Sequence, residues 1–308
     1  AGVTTYTNTS ATVNWRAPQD ALRTDPVGLE VSGDVMIGGS LAIGGLNQSA
    51  VSYLTVGGDL ILSNKANASF PPQLVVYAGP TNTTTTFRSG GARVTVAGGT
   101  RLASANSVIY PYCHQSTGAS VVFNLQDFYL TTNSQINATG RGYSVVYSPG
   151  STNYYGPGVI PTSTMTGGSY GGKGGTYWKA VAPVYGFMNA PYLPGSPGIY
   201  STPSQGMGGG AIRVSARNVT LAGKLVADGR AIDWGYGAGY GAGSGGSVWV
   251  TCSNFTAVGS AAAVTAKGGS YNSNSIQSGD GGGGRIAIMT GAPTEAQSDS
   301  LYAPGNCD

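Results

Sequence analysis

Residues 121–130, 212–221 and 248–257 of this chain align without gaps. Each segment is apolar at its first, third and eighth positions: Val121, Phe123 and Phe128; Ile212, Val214 and Val219; Val248, Val250 and Phe255. Each is followed by the same ending, namely Ile136, Ala138 and Gly140; Leu225, Ala227 and Gly229; Val264, Ala266 and Gly268. The interval from Ile212 to Val248 is 36 residues, and from Val248 to Ile286, which with Ile288 opens a further copy, it is 38. A near-constant interval marks a repeat whose units bury their apolar faces only against one another. That constrains the fold more than any other feature of the sequence.

The units are built from strands. No window free of Gly and Pro has apolar residues at i, i+3, i+4 and i+7, so the helical signal is absent. Alternating pairs such as Leu29 and Val31, Val35 and Ile37, Leu41 and Ile43, Leu54 and Val56, Leu60 and Leu62, Leu74 and Val76, and Val94 and Val96 are separated by Gly-Gly or Ser/Asn/Thr clusters. An antiparallel sandwich gives no reason for a constant interval. A propeller blade needs about 40–45 residues and four strands, more apolar strand than these units hold. The pattern predicts an all-β parallel β-helix, or β-solenoid, of stacked short strands. Ala138, Ala227 and Ala266 are expected inside the narrow core, and Gly140, Gly229 and Gly268 at corners with positive φ.

The expected organisation is one elongated domain over 1–308: an N-terminal strand or cap at 1–28, first coils at 29–140, an insertion at 141–210, regular coils at 211–290 and a C-terminal tail or linker at 291–308. The insertion holds eight of the 16 prolines and Tyr154, Tyr155, Tyr170, Tyr177, Tyr185, Tyr192 and Tyr200. It is expected to be irregular but packed, with its Gly-Gly pairs letting backbone lie against backbone.

Composition narrows the function. The chain has 52 glycines and only 9% charged residues, yet 40% hydrophobic ones, enough to bury a core. Its 15 basic and 12 acidic residues are scattered singly for a net charge of +3, which disfavours nucleic acid, whose phosphates call for clustered Lys and Arg. No apolar run is long enough for a membrane span. No cofactor and no metal site is expected, and no Cys spacing suggests zinc.

Seven N-x-Ser/Thr acceptors occur, at Asn8, Asn47, Asn67, Asn82, Asn137, Asn218 and Asn254. Asn218 and Asn254 share one repeat position, immediately before an inward apolar residue, so alternation turns them outward in a column. Asn137, between Ile136 and Ala138, is likewise expected to face outward. These sites point to a secreted, extracellular or cell-surface protein carrying covalent glycans. The opening at Ala1, with no apolar leader, suits a mature chain. Cys113, Cys252 and Cys307 allow one disulfide plus one free or intermolecular thiol, with all three pairs open. His114 follows Cys113, but neighbours along a chain point apart, which argues against a nucleophile pair.

Runs such as residues 134–143, 169–175, 208–214, 243–250 and 281–288, with their Gly-Gly steps leading into Ile212, Val248 and Ile286, resemble the glycine-rich repeat regions of large secreted surface, fibril and adhesin-like proteins of bacteria and protists. Among the bearers of such regions are subunits of tubular mastigonemes, the flagellar hairs. The resemblance covers about 120–290. It implies a parallel β-helix in a structural or adhesive setting and brings no catalytic residue.

The expected function is a structural subunit of a secreted, N-glycosylated extracellular filament or surface appendage, whose partners are copies of itself or related repeat subunits. A carbohydrate-binding or adhesion module is the alternative. Trp15, Trp178, Trp234, Tyr236 and Tyr240 are the candidates for sugar stacking or protomer contact. A polysaccharide lyase or hydrolase would need grouped carboxylates. Asp228, Asp233 and Asp280 are the nearest to that, and they read more simply as turn residues. No catalytic residue is assigned. The strand-prone segment 4–15 is expected to add to a neighbour's sheet edge.

Overall fold

Glycine and aspartate corners cut the first half of the chain into short strands that stack in register. The structure, a computed structural model, describes residues 5–7, 13–16, 27–46, 48–64, 71–80, 90–148, 151–161, 166–176, 180–199, 206–232, 240–270 and 279–291. Two strands come first, β1 (Thr5–Thr7) and β2 (Val13–Arg16). Four layers of three follow. The first is β3 (Val27–Val31), β4 (Val35–Ile37) and β5 (Ser40–Ile43); the second is β6 (Ser52–Val56), β7 (Leu60–Leu62) and β8 (Gln73–Tyr77). The third is β9 (Ala92–Val96), β10 (Gly99–Leu102) and β11 (Val108–Tyr112); the fourth is β12 (Val121–Asn124), β13 (Asp127–Leu130) and β14 (Gln135–Asn137). An antiparallel hairpin, β15 (Val145–Ser148) and β16 (Ser151–Tyr154), stands apart. The later layers are β17 (Ala211–Leu221) with β18 (Lys224–Val226), β19 (Ser247–Ala257) with β20 (Ala263–Thr265), and β21 (Arg285–Thr290).

All of this is β structure, with no helix among the described residues. The expectation of a parallel β-helix is nevertheless overturned. The first and second strands of the layers are not separate faces of a coil. They belong to one 13-stranded sheet whose path β1-β4-β7-β10-β13-β17-β12-β9-β6-β3-β2 folds back on itself through β17 and nearly closes a barrel, with β19 and then β21 continuing from β17. A second, six-stranded sheet, β20-β18-β14-β11-β8-β5, lies beside it and is parallel throughout.

The corners differ from layer to layer. The first three layers turn through Gly33 and Asp34, through Gly57, Gly58 and Asp59, and through Gly98, and the fourth through Leu125 and Gln126, so one strand ends and another begins. In β17 the equivalent stretch is Ala216 and Arg217, without glycine, and the strand runs on for 11 residues, bonding β12 with its first half and β13 with its second. The same holds for β19 against β17. Period-2 alternation then sends one row of side chains from both arms and from the second sheet into a shared core. Leu54, Leu60, Leu74, Val94, Phe123, Phe128, Ile136, Ile212 and Leu225 are all buried there. Ala138 and Ala227 are fully buried as the spacing predicts, and Ala266 packs half-buried against the same core.

The N-terminal strands also depart from expectation. β1 pairs antiparallel with β4, and β2 antiparallel with β3, placing Trp15 opposite Leu29. The segment read as a donor to a neighbour instead pairs with this chain's own first layer.

Outside the strands, glycine segments form a packed array of their own. A strand has two neighbours in a sheet, whereas the segment 241–246 bonds through its backbone in many directions. Gly168 N–H donates to Ala242 O, Gly209 N–H to Ser244 O, Gly246 N–H to Ala227 O, Gly245 N–H to Gly282 O and Gly269 N–H to Gly243 O. Such packing tolerates no Cβ: one built on Gly243 would lie 2.0 Å from the carbonyl oxygen of Met207. The expected positive φ is found at Gly140, at 60°, and at neither Gly229 nor Gly268. Those two lack room rather than a left-handed backbone, since a Cβ would meet Gly243 O at 2.1 Å and Gly281 O at 1.9 Å respectively. Tyr170 and Tyr192, from the stretch expected to be irregular, are buried in this half of the molecule.

Candidate functional site

The two ends of the strand stack differ. At the first layer the inward residues Leu29, Val35, Ile37, Leu41 and Ile43 are all buried. At the last layer the same columns emerge. Val248 and Val250 are 0% exposed, while Ile286 and Ile288, their partners one layer further on, are 46% and 38% exposed. Phe255 of β19 lies one layer earlier, outside the stretch of β19 that β21 pairs, with Val264 of β20 and Ala266 just after it, and all three are half-buried. Among the described residues, β21 pairs only with β19, and β20 only with β18. This end therefore combines uncovered apolar columns with strand edges, the combination that seeks another strand layer.

A polar column leads to that end along the outer edge of the second arm. Asp34, Asp59, Gly99 and Asp127 precede or open β4, β7, β10 and β13, and Asn218 and Asn254 continue the same register within β17 and β19. The Asp59 N–H donates to Asp34 Oδ1 at 2.8 Å, and the Gly99 N–H to Asp59 Oδ1 at 2.7 Å. Asn218 Nδ2 donates to Asp127 Oδ1 at 2.6 Å, and Asn254 Nδ2 to Asn218 Oδ1 at 2.8 Å. Parallel register places these groups one strand spacing apart, about 4.8 Å, so each amide reaches the next.

Arg217 joins the column by donating from Nη2 to Asp127 Oδ2 at 2.7 Å. The hydrogen bonds from Arg217, and then Asn218, hold the Asp127 carboxyl below its ordinary value of 3.8. A carboxyl depressed in the folded state stabilises the fold above its unfolded value, and loses that contribution as pH falls through the folded one. Asp127→Asn keeps an acceptor for Asn218 but cannot titrate. Urea midpoints measured for both proteins across the acid range are expected to fall less for Asp127→Asn below pH 3.8; identical acid slopes would show that the pair contributes nothing, as many exposed ion pairs do.

Of the acceptor asparagines, Asn254 is exposed and Asn218 half-buried, aligned in register as the repeat predicts. Asn137 is half-buried rather than fully outward: its Oδ1 accepts from the Thr139 N–H at 2.9 Å. Asn8, Asn47, Asn67 and Asn82 lie outside the described residues.

Cys113 and Cys252 are both free and buried, so no disulfide joins them, and Cys307 lies outside the described residues. Burial pushes the Cys113 thiol up to about 12, against the lowering influence of the Ala211 N–H donated to its sulfur and of Arg213. Its neighbour His114 turns Nδ1 to Thr117 and Ser116 instead of the sulfur. Burial also lowers the imidazole. Asp228 Oδ1 accepts from the Lys267 N–H at 2.7 Å, Asp280 is exposed, and Asp233 lies outside the described residues. Among the described residues, no group of three or more His, Cys, Asp or Glu is placed to hold a metal ion.

Of the aromatic candidates, Tyr240 packs half-buried against Ile232 and Ala242, and Trp15 lies on β2. Trp178, Trp234 and Tyr236 lie outside the described residues. Two aromatic groups went unread in the sequence. Buried Arg213 sets its guanidinium 5.5 Å from the Trp249 ring and 6.0 Å from that of Tyr192, and donates to Ser120 Oγ at 3.2 Å. On the second sheet, the Tyr77 and Tyr112 rings stack at 4.7 Å while Arg141 lies 4.2 Å over Tyr110 and 4.8 Å over Tyr112. Tyr77 and Tyr112 stand 35 residues apart, as do Leu74 and Ile109 beside them. That matching interval was the signal available.

In comparisons with known proteins, no family model, curated protein or solved structure matches this chain.

Proposed function

We propose that the chain is a structural subunit of a secreted, N-glycosylated extracellular filament or surface appendage, and that copies of it associate through the open end. The observation that carries this reading is the asymmetry of the core: columns fully buried through the interior surface at Ile286 and Ile288, while the opposite end stays covered. Every interior layer is covered by a layer of like chemistry, so the surface that best fits the last one is that of another copy. Two copies meeting open end to open end present Ile286, Ile288, Phe255 and Val264 to the same residues, a two-fold contact that closes at a pair, and that pair is the unit from which the filament or appendage is built. The polar column supports the same assignment, because it ends at this layer with the exposed amide of Asn254. The in-register acceptors Asn218 and Asn254 support a glycosylated setting.

The test is electron microscopy of the native protein, with intact mass before and after glycosidase digestion. Particles joined in pairs end to end, alone or as the unit of regular filaments, that lose mass on digestion are expected. Paired Ile286→Lys and Ile288→Lys substitutions are expected to leave folded single particles, because both side chains are already 46% and 38% exposed. Unglycosylated single particles from the unaltered chain would overturn the reading.

A further inference from the structure

We propose that Tyr77 and Tyr112 are the site of an oxidative carbon–carbon cross-link, formed when a peroxidase and hydrogen peroxide act on the folded protein. This assignment stands independently of the assembly reading. It rests on three features of the second sheet.

The first is register. Tyr77 and Tyr112 are directly paired residues of β8 and β11, at the end of five consecutive parallel pairs that begin at Gln73 and Val108. Neither strand can slip without moving Leu74 and Ile109 out of the core. The second is ring geometry. The ring centroids lie 4.7 Å apart at an interplanar angle of 28°, a stacked pair, within the separation at which aromatic rings attract. In a tyrosyl radical the unpaired electron occupies the π system, including the ring carbons next to the hydroxyl-bearing one, so two such radicals join face to face. The stack is therefore an approach geometry for the bond. The third is access. Both residues are half-buried, so each keeps some surface through which a peroxidase can draw an electron. The two phenol groups also sense one another, since Tyr112 helps burial raise the Tyr77 hydroxyl above its ordinary value.

Arg141 holds the arrangement. Its Nη1 donates to Thr139 O at 2.8 Å and its guanidinium rests on Tyr110 and Tyr112, which steadies the Tyr112 ring. The pair of Tyr170 and half-buried Tyr185 is an internal contrast. Its centroids are also 4.7 Å apart, but the rings are tilted by 49°, Tyr170 is fully buried, and the Tyr185 hydroxyl donates to Pro194 O at 2.6 Å.

The chemistry balances. Each phenol gives up one electron and its hydroxyl proton to form a phenoxyl radical. The radicals join at ring carbons ortho to oxygen, and the hydrogens on those carbons shift to the oxygens, restoring two phenols. The pair loses two electrons and two protons, which reduce one hydrogen peroxide to two waters.

The experiment treats the purified full chain with horseradish-type peroxidase and limiting hydrogen peroxide, followed by proteolysis and mass spectrometry. The expected major product joins the peptides bearing Tyr77 and Tyr112, with a mass lower by two hydrogen atoms and the blue fluorescence of a coupled tyrosine pair. Tyr77→Phe and Tyr112→Phe keep the ring stack, and each is expected to abolish that product, whereas Tyr110→Phe leaves it. A product dominated by other tyrosines, by bonds between chains, or by no coupled tyrosine at all would overturn the assignment.

Discussion

Adding one methyl group at Gly243 is expected to destabilise the protein by about 3 kcal/mol or more, the sum of overpacking and of backbone hydrogen bonds lost as the segment moves aside. The new Cβ of Gly243→Ala would sit 2.0 Å from Met207 O and 2.4 Å from its carbonyl carbon, and backbone cannot rotate away as a side chain can. Relief means moving a segment that donates to Arg230 O and accepts from Gly269 N–H. The control is Gly283→Ala, where a Cβ meets nothing within 4 Å; its effect is expected to stay within about 0.5 kcal/mol, as at ordinary surface sites. Urea midpoints of the two variants decide the matter. Similar midpoints would mean that the glycine array yields easily and that close packing there is not a source of stability.

A comparable loss is expected in the apolar columns, graded by position. Ile212 and Ile286 belong to one column through Val248, yet the first is 0% and the second 46% exposed. Ile212→Ala leaves a cavity between two layers and is expected to cost about 2–5 kcal/mol. Ile286→Ala removes atoms already facing water and is expected to cost under about 1 kcal/mol in the isolated chain. If copies associate through this end, the second substitution shows its cost in assembly instead, visible as a rise in the concentration at which particles join. Equal effects of both substitutions on the isolated chain would mean that the last layer is covered within the chain itself.

Much of the strand pattern was legible because side-chain alternation reports burial directly. Leu54 and Val56, Leu74 and Val76, and the alanines Ala138 and Ala227 point inward as their spacing requires. Closure of the main sheet was not read, since it depends on whether a strand runs on or breaks at a corner: it runs on through Ala216 and Arg217 in β17 but breaks at the equally glycine-free Leu125 and Gln126 one layer earlier. The glycine array left no periodicity to find. Its contacts join backbone to backbone between distant segments, as when Gly168 donates to Ala242 and Gly282 donates to Gly168, and no side chain records them. The N-terminal strands misled for a related reason. β1 and β2 are three and four residues long, too short for their sequences to show that their partners are β4 and β3 of the same chain. The acceptor column at Asn218 and Asn254 was legible from repeat position alone, while its continuation through Asp127, Asp59 and Asp34 needed the strand register. The stacked tyrosines needed the same register, although their spacing of 35 residues was present in the sequence.

The covered end of the stack is made of earlier residues than the open end, and this gives the layers an order of growth during synthesis. Domains form from the N-terminus as translation proceeds, and in a layered protein each unit needs only the one before it. β2 and β3, then β6, β9 and β12, provide in turn a finished template for the strand that emerges next. At every stage the incomplete face is the newest one, held near the translating ribosome, and the older layers are already sealed. A nascent chain built this way shields its apolar rows from other nascent chains until the last layer is released.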